Sequence, residues 1–213
     1  MLVGERMSRP PITIPPEMSI VDALALFKKE HIRRAPVIKS GKLVGIVSEK
    51  DLLNASPSAA TTLSIWEMNY LLSKLAVSEL MTKSVITVTE DTPIEEAARL
   101  MADNKIGGLP VVKGSRVVGI ITETNLFKMF LELMGAREHG VRVTALIEDT
   151  PGMLAKVTKS ITDAGGNFIA FGQFVGEDVN SRVITFKVNG MNKEKVKKAI
   201  GEIVKKVWDI REV

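Results

Sequence analysis

The chain has no cysteine and only two histidines among its 213 residues. The first absence excludes disulfides, thiolate zinc sites and a cysteine nucleophile, and it accords with a reducing compartment. His31 and His139 lie far apart with no cysteine beside them, so neither a metal cage nor a nucleophile and base pair is indicated. No stretch approaches the roughly 18 apolar residues that a spanning helix needs, and Met1 to Pro16 carries no apolar run of signal-peptide length. A cytoplasmic protein without a membrane partner is expected. The glycine pair Gly165-Gly166 lacks both the spacing and the lysine of a phosphate-binding loop. With no catalytic constellation, a non-enzyme is expected.

What is present is the composition of a globular protein, 45% hydrophobic and 25% charged, long enough for one large or two small domains. The net charge of +4 leaves nucleic acid as an unexpected partner, because 29 basic residues are offset by 25 acidic ones along the same segments. Lys28-Lys29, Lys193 to Lys198 and Lys205-Lys206 stand at the spacing of solvated helix faces.

Met7 to Leu53 superposes on Met81 to Phe127 at a constant offset of 74 without a gap. Fifteen of the 47 aligned positions are identical, among them Met7/Met81, Ile12/Ile86, Ile32/Ile106, Pro36/Pro110, Gly45/Gly119, Ile46/Ile120 and Glu49/Glu123. A period this long describes a duplicated supersecondary unit and not a short solenoid repeat.

Each copy reads as β-α-β-β-α. A short strand, Ile12 to Ile14 or Val85 to Val88, leads to a helix begun by Ser19 or Thr92-Pro93. A strand entered through proline follows, Ala35 to Ile38 or Leu109 to Val112. After a Ser-Gly or Gly-Ser turn comes a second strand, Leu43 to Val47 or Val117 to Ile121. Ser48 or Thr122 then caps a second helix. Asn54 to Thr62 reads as a loop, and Ile65 to Leu75 as a helix joining the copies.

Beyond Gly135 the order is βαββαβ. Strands are expected at Val141 to Ile147, Phe168 to Val175, Arg182 to Val188 and Val207 to Arg211. Helices are expected at Met153 to Ala164, closed by Gly165-Gly166, and at Lys193 to Val204.

Val44-Gly45-Ile46-Val47-Ser48-Glu49-Lys50-Asp51 and Val118-Gly119-Ile120-Ile121-Thr122-Glu123-Thr124-Asn125, each after an x-Pro-Val strand, resemble the hallmark of the cystathionine-β-synthase-type (CBS) domain. The last region, with Asp149-x-Pro151-Gly152-x-Leu154 at its first turn and Gly166-Asn167-Phe168-Ile169 opening its second strand, resembles an ACT domain. The order of these parts, with Ser64 to Leu75 between the copies, resembles the acetoin-utilisation protein B-like family. The resemblance implies an α+β protein. CBS domain 1 would span 1–60, a linking helix 61–76, CBS domain 2 77–135 and a ferredoxin-like ACT domain 140–213.

The CBS resemblance implies adenine nucleotide (AMP, ADP or ATP) in clefts between the copies. A carboxylate at a helix start can accept both ribose hydroxyls, while the hydroxyl three residues earlier and the free amides face phosphate. That pairs Asp51 with Ser48. The residue three before the proline is implied to face the phosphates, which gives Arg33, a permanently charged fork, with Arg34 as its understudy. The base would lie between Ile46, Ile86 and Ile106.

The second cleft would use Ile12, Ile32, Ile120, Thr122 and Asn125. There an amide replaces the ribose-binding carboxylate. Loss of a charged hydrogen bond weakens binding by roughly 1.5–3 kcal/mol, about tenfold to a hundredfold, so unequal clefts are expected. Ser48, Asp51, Thr122 and Asn125 are also ordinary helix-capping residues that need no ligand.

The ACT resemblance implies an amino-acid effector at a dimer interface, with Asp149, Gly152, Leu154 and Asn167 as its contacts. Gly152 allows close backbone approach and helix-start amides can hold a carboxylate. The same Pro151-Gly152 also serves as a tight strand-to-helix turn. The expected protein is a homodimeric, non-catalytic regulatory sensor acting on an unidentified partner enzyme. The alternative is a dimeric scaffold that regulates such an enzyme without bound ligand.

Overall fold

The computed structural model describes residues 1–55, 64, 67, 70 and 73–213. The expected loop before residue 62 and the linking helix over 61–76 fall largely outside the described residues. The chain divides into two compact units, Met1–Leu126 and Phe127–Val213.

In the first unit, copy one comprises α1 (Val3–Arg6), α2 (Ile20–Lys29), β1 (Arg34–Lys39), β2 (Lys42–Ser48) and α3 (Glu49–Asn54). Copy two repeats the series as α4 (Val77–Leu80), α5 (Ile94–Asn104), β3 (Gly108–Lys113), β4 (Arg116–Thr122) and α6 (Glu123–Leu133), the last of which ends in the second unit. Ser19 caps α2 by accepting from the Asp22 amide, as its residue type predicts. β1 and β2 form an antiparallel hairpin, as do β3 and β4, with the prolines opposite isoleucines in both: Pro36 faces Ile46 and Pro110 faces Ile120.

The expected first strands are shorter than predicted. Ile12 to Ile14 reduces to one parallel bridge from Ile14 to Val37, and Val85 to Val88 to one from Val88 to Val111. In copy one, prolines at 10, 11, 15 and 16 remove the amides that a longer strand would donate.

The structural repeat begins earlier than Met7. Leu2 bridges Pro93, and the counterpart Ala76 bridges Ser19. The Val3 amide donates to Thr92 O and the Val77 amide to Met18 O, both at 2.9 Å. Each copy's leading helix is therefore seated on the other copy. Val77 is fully buried among Ile14, Ile20, Phe27, Val47 and Leu52 of copy one, and burial of such a side chain stabilises by about 1.5–3 kcal/mol. The sequence carries the signal in Val3/Val77 and Glu5/Glu79, where each glutamate accepts from the amide of Leu2 or Ala76. The exchange ties the two copies into one body.

The second unit contains β5 (Val141–Glu148), α7 (Met153–Asp163), β6 (Asn167–Val175), β7 (Ser181–Asn189), α8 (Lys193–Ile200) and β8 (Lys206–Glu212). The strands form one antiparallel sheet in the order β6-β7-β5-β8. Alternate residues of β5 and β7, including Val143, Ala145, Ile147, Ile184 and Phe186, pack against Val157 and Ile161 of α7 and Val196 and Ile200 of α8. The last helix ends at Ile200 instead of Val204. Ile203 and Val204 both donate to Ile200 O in a terminal turn that feeds Lys205 onto Leu146 O of β5.

On the sheet face away from the helices, Lys187 is 5% exposed. Its Nζ donates to Gly135 O at 2.8 Å and Glu138 O at 2.9 Å, holding residues 135–138 against the sheet.

Candidate functional site

Cross-pairing between the copies shapes a cleft. Ile46 of β2 exchanges both backbone hydrogen bonds with Thr82, at 2.9 and 3.0 Å, and Ile120 of β4 does the same with Ser8, at 2.9 and 3.1 Å. The Glu49 amide donates to Arg33 O at 2.8 Å, which draws the start of α3 to the strand entrance. The result is a cavity of about 470 Å³ walled by Arg33, Arg34, Ile46, Ser48 and Asp51 of copy one and by Thr82, Ile86, Lys105, Ile106 and Gly107 of copy two, among others. That size suits a small ligand.

At its polar end Asp51 and Ser48 form a reciprocal cap. Asp51 Oδ2 accepts from the Ser48 amide at 2.8 Å and the Ser48 hydroxyl at 2.7 Å, and the Asp51 amide donates to Ser48 Oγ at 3.3 Å. Both bonds to the carboxylate end on one oxygen, so the second remains an acceptor with no partner among the described residues. Ile46, Ile86 and Ile106 provide an apolar wall, with Ile86 36% exposed. Arg33 is exposed, while Arg34 is half-buried. Burial pulls the Arg34 guanidinium below its ordinary range. Glu123 opposes that shift, Arg33 adds to it and Asp51 opposes it. The cleft thus combines cations, a carboxylate acceptor and an apolar wall.

The residues expected in the second cleft hold the counterpart positions of the repeat and are not on this cavity's wall. Thr122 and Asn125 reproduce the two bonds to the acceptor oxygen: Asn125 Oδ1 accepts from the Thr122 amide at 2.9 Å and its hydroxyl at 2.7 Å. The amide group left over donates to Ser8 Oγ at 3.4 Å, a long bond. Ile120 is buried, and Ile12 and Ile32 are half-buried.

In the second unit, Asp149, Gly152 and Leu154 line a depression of about 570 Å³ at the turn between β5 and α7, together with Gln173 and Arg182. Gly152 has φ +84° and nothing within 4 Å of where a Cβ would stand, so its conformation and not crowding requires glycine. Asp149 Oδ2 pairs with Arg182 Nη2 at 2.8 Å. Arg182 Nε is buried with no hydrogen-bond partner among the described residues. Asn167 is not brought here. It pairs with Asn189 at the opposite end of β6 from Gln173. No motif in the sequence pointed to Arg182, a charged residue inside an apolar strand.

Among the described residues no group of three or more His, Asp or Glu could hold a metal ion, and no helix is long and apolar enough to cross a membrane.

The CBS domain pattern matches residues 3–58 and 77–132. The CBS domain pair of protein MJ0100, solved in complex with 5′-methylthioadenosine and S-adenosyl-L-methionine, is 34% identical and superposes with a TM-score of 0.52 over 65% of this chain and 98% of its own. A putative acetoin utilization protein (AcuB) from Vibrio cholerae is 31% identical, with a TM-score of 0.53 over 64% of this chain and 95% of its own. CBSX2, solved in complex with AMP, is 34% identical, with a TM-score of 0.52 over 62% of this chain and 97% of its own. Of a relative named L-aspartate semialdehyde sulfurtransferase from Methanocaldococcus jannaschii, 34% identical over 131 residues, the chain spans only 23%. With both copies matched and interlocked through their leading helices, the chain belongs to the CBS-domain family and carries a tandem pair.

Proposed function

We propose that this chain is a non-catalytic regulatory sensor that binds an adenine nucleotide, AMP, ADP or ATP, in the Asp51 cleft. The observation that carries the reading is the single cavity that gathers Arg33, Ile46, Ser48, Asp51, Ile86 and Ile106 from both copies. Asp51 accepts the ribose hydroxyls, the isoleucines flank the base, and Arg33 with the helix-start amides meets phosphate. The adenosine ligands in the MJ0100 and CBSX2 structures support the same class. The Asn125 cleft, with an amide in place of the carboxylate, binds more weakly or stays empty.

The second unit is proposed as an ACT domain that takes an amino acid at the Asp149 to Leu154 turn, supported by its βαββαβ order and by Arg182 beside Gly152. The domains would then be 1–60, 77–135 and 140–213, with a linking helix over 61–76. A homodimer is supported by the repeat counterparts Leu53 and Phe127, 53% and 67% exposed; sedimentation of the purified chain tests it.

The nucleotide reading is tested by calorimetric titration of AMP, ATP and S-adenosylmethionine into the wild-type chain and into Asp51→Ala. Saturable binding that disappears in the variant supports the sensor. No heat with any of them refutes it and leaves the scaffold.

A further inference from the structure

The two helices of the second unit carry one pattern twice, at an offset of 39 (195 − 156). Lys156/Lys195, Val157/Val196, Lys159/Lys198, Ile161/Ile200 and Asp163/Glu202 correspond in residue type. The valine and isoleucine of α7 and of α8 are fully buried in the core under the sheet. Spacings of three and then four residues put two lysines and a carboxylate along one flank of that buried stripe, with Glu202 in the turn that ends α8. The two flanks line one groove of about 890 Å³. Ser160 ties its sides together, its Oγ donating to Ala199 O at 2.6 Å. Lys159 pairs with Asp163 at 2.8 Å along its own helix. Lys156, Lys195 and Lys198 are exposed and have no acidic partner among the described residues. The charge is also concentrated here. Residues 193–206 hold six lysines against Glu194 and Glu202, a net +4 (6 − 2), equal to the net charge of the whole chain.

We propose that this groove is a docking surface for an acidic helical segment of a partner protein. Neither a bound nucleotide nor a bound amino acid is needed for it. From Lys156 to Asp163 the row covers seven residues (163 − 156), about 10 Å of helix, so two turns of a partner helix match its length. Carboxylates three and four residues apart on such a helix lie on one face, where they meet lysines from both sides of the groove. Each exposed ion pair is weak by itself. Binding strength comes from three unpaired cations acting on one segment, and the local excess of positive charge steers its approach. A nucleic acid suits the groove less well. Neither an arginine fork nor an aromatic ring for base stacking is among the lining residues. A carboxylate in each row would oppose the unbroken charge of a phosphate backbone.

The test uses two alanine-based peptides of about 15 residues, long enough to form helix, with equal numbers of glutamates. In the first the glutamates share one face at spacings of three and four, and in the second they are scattered around the helix. Fluorescence anisotropy at low salt follows their binding to the full chain. The proteins are the wild type, the groove variant Lys156→Glu/Lys195→Glu/Lys198→Glu, and the charge-matched control Lys28→Glu/Lys42→Glu/Lys113→Glu, whose exposed lysines lie in the first unit. Melting curves establish that each is folded. The one-face peptide should bind the wild type saturably and more tightly than the scattered one. It should lose about tenfold or more in the groove variant, the scale of three ion pairs turned into repulsions, and less than about threefold in the control. Lys156→Gln, Lys195→Gln and Lys198→Gln singly remove only exposed charge and should each weaken binding by about twofold to fivefold. They report even if the triple variant fails to fold. Equal losses in groove variant and control, equal affinity for the two peptides, or no saturable binding would each overturn the proposal. An oligothymidine that bound more tightly than the one-face peptide, with its loss confined to the groove variants, would also overturn it and give the groove to nucleic acid.

Discussion

The sulfur of Met81 occupies the place where a side chain on Gly45 would begin: a Cβ at Gly45 would lie 2.5 Å from Met81 Sδ, with Thr82 O at 3.1 Å behind it. Met7 covers Gly119 in the same way. These contacts explain why Met7/Met81 and Gly45/Gly119 recur together in the repeat. The methionine that precedes each copy is the lid over the glycine of the other, and the cleft wall at Ile46 depends on that seat.

Gly45→Ala should destabilise the first unit by about 1–3 kcal/mol, the usual cost of overpacking. The cause is specific to Met81, so the same substitution in a Met81→Ala background should cost less by at least about 0.5 kcal/mol. Denaturant unfolding of the four proteins of this cycle measures the coupling. Equal costs in both backgrounds would mean that the Thr82 backbone, and not Met81, makes the glycine necessary.

The two caps differ in the group left free after capping, a carboxylate oxygen on Asp51 and an amide nitrogen on Asn125, and the difference predicts stoichiometry. Asp51→Asn keeps a carbonyl oxygen for the Ser48 amide and hydroxyl, as Asn125 does for Thr122. Fold stability should therefore change by less than about 1 kcal/mol. AMP affinity should fall about tenfold to a hundredfold. The reverse exchange, Asn125→Asp, should move binding from one nucleotide per chain toward two. Calorimetry reads both, and a stoichiometry fixed at one after Asn125→Asp would show that the second cleft is limited by something other than the missing carboxylate.

Much of this architecture is legible in the offset of 74, because identical residues at constant spacing must repeat the same hairpin and the same helix caps. The seating of α1 and α4 on opposite copies was not, since only Val3/Val77 and Glu5/Glu79 mark it and partner choice is a long-range property. The family resemblance ranks Arg33 ahead of Arg34, but residue type alone does not separate the two adjacent arginines. The pleat distinguishes them, for Arg34 is the first residue of β1 and turns over Gly107 while Arg33 stays exposed. Asn167 is close to Gly152 in sequence, yet α7 intervenes, and the strand that follows starts at the far end of the sheet. A period-2 reading of β7 places Lys187 on the face away from the helices, which suggests exposure. Residues 135–138 cover that face instead.

Lys187 should be a stability determinant of the second unit. Replacing it with methionine keeps the bulk but removes the ammonium from Gly135 O and Glu138 O. Two charge-assisted bonds, each worth about 1.5–3 kcal/mol, are lost, although Gly135 O keeps the Glu138 amide at 3.1 Å and Glu138 is exposed to solvent. The desolvation relieved by removing a buried ammonium offsets part of this. A net loss of about 1–3 kcal/mol is expected, measured by denaturant unfolding. Hydrogen exchange should localise the loosening to residues 134–140, and uniform exchange across the unit would exclude Lys187 as the clamp.

The turn at Gly152 offers a test of effector binding that stability does not confound. The Asp149 and Arg182 pair is partly exposed, with side chains 36% and 34% accessible, so breaking it should alter stability by no more than about 1 kcal/mol. An amino acid at this turn would bring a carboxylate for Arg182, whose Nε has no hydrogen-bond partner among the described residues, and an ammonium for Asp149. The pair is then exchanged for two equivalent pairs with the ligand, which is why neither residue alone can be removed without loss. In a thermal-shift screen of the twenty amino acids, at least one should raise the melting temperature of the wild-type chain. Arg182→Met and Asp149→Asn should each abolish that shift while melting close to wild type without ligand. Gly152→Val should abolish it too, but with a lower starting temperature, because a β-branched residue is strained at φ +84°. A shift that survives Arg182→Met would place the effector elsewhere, and no shift with any amino acid would leave Pro151-Gly152 as a turn and nothing more.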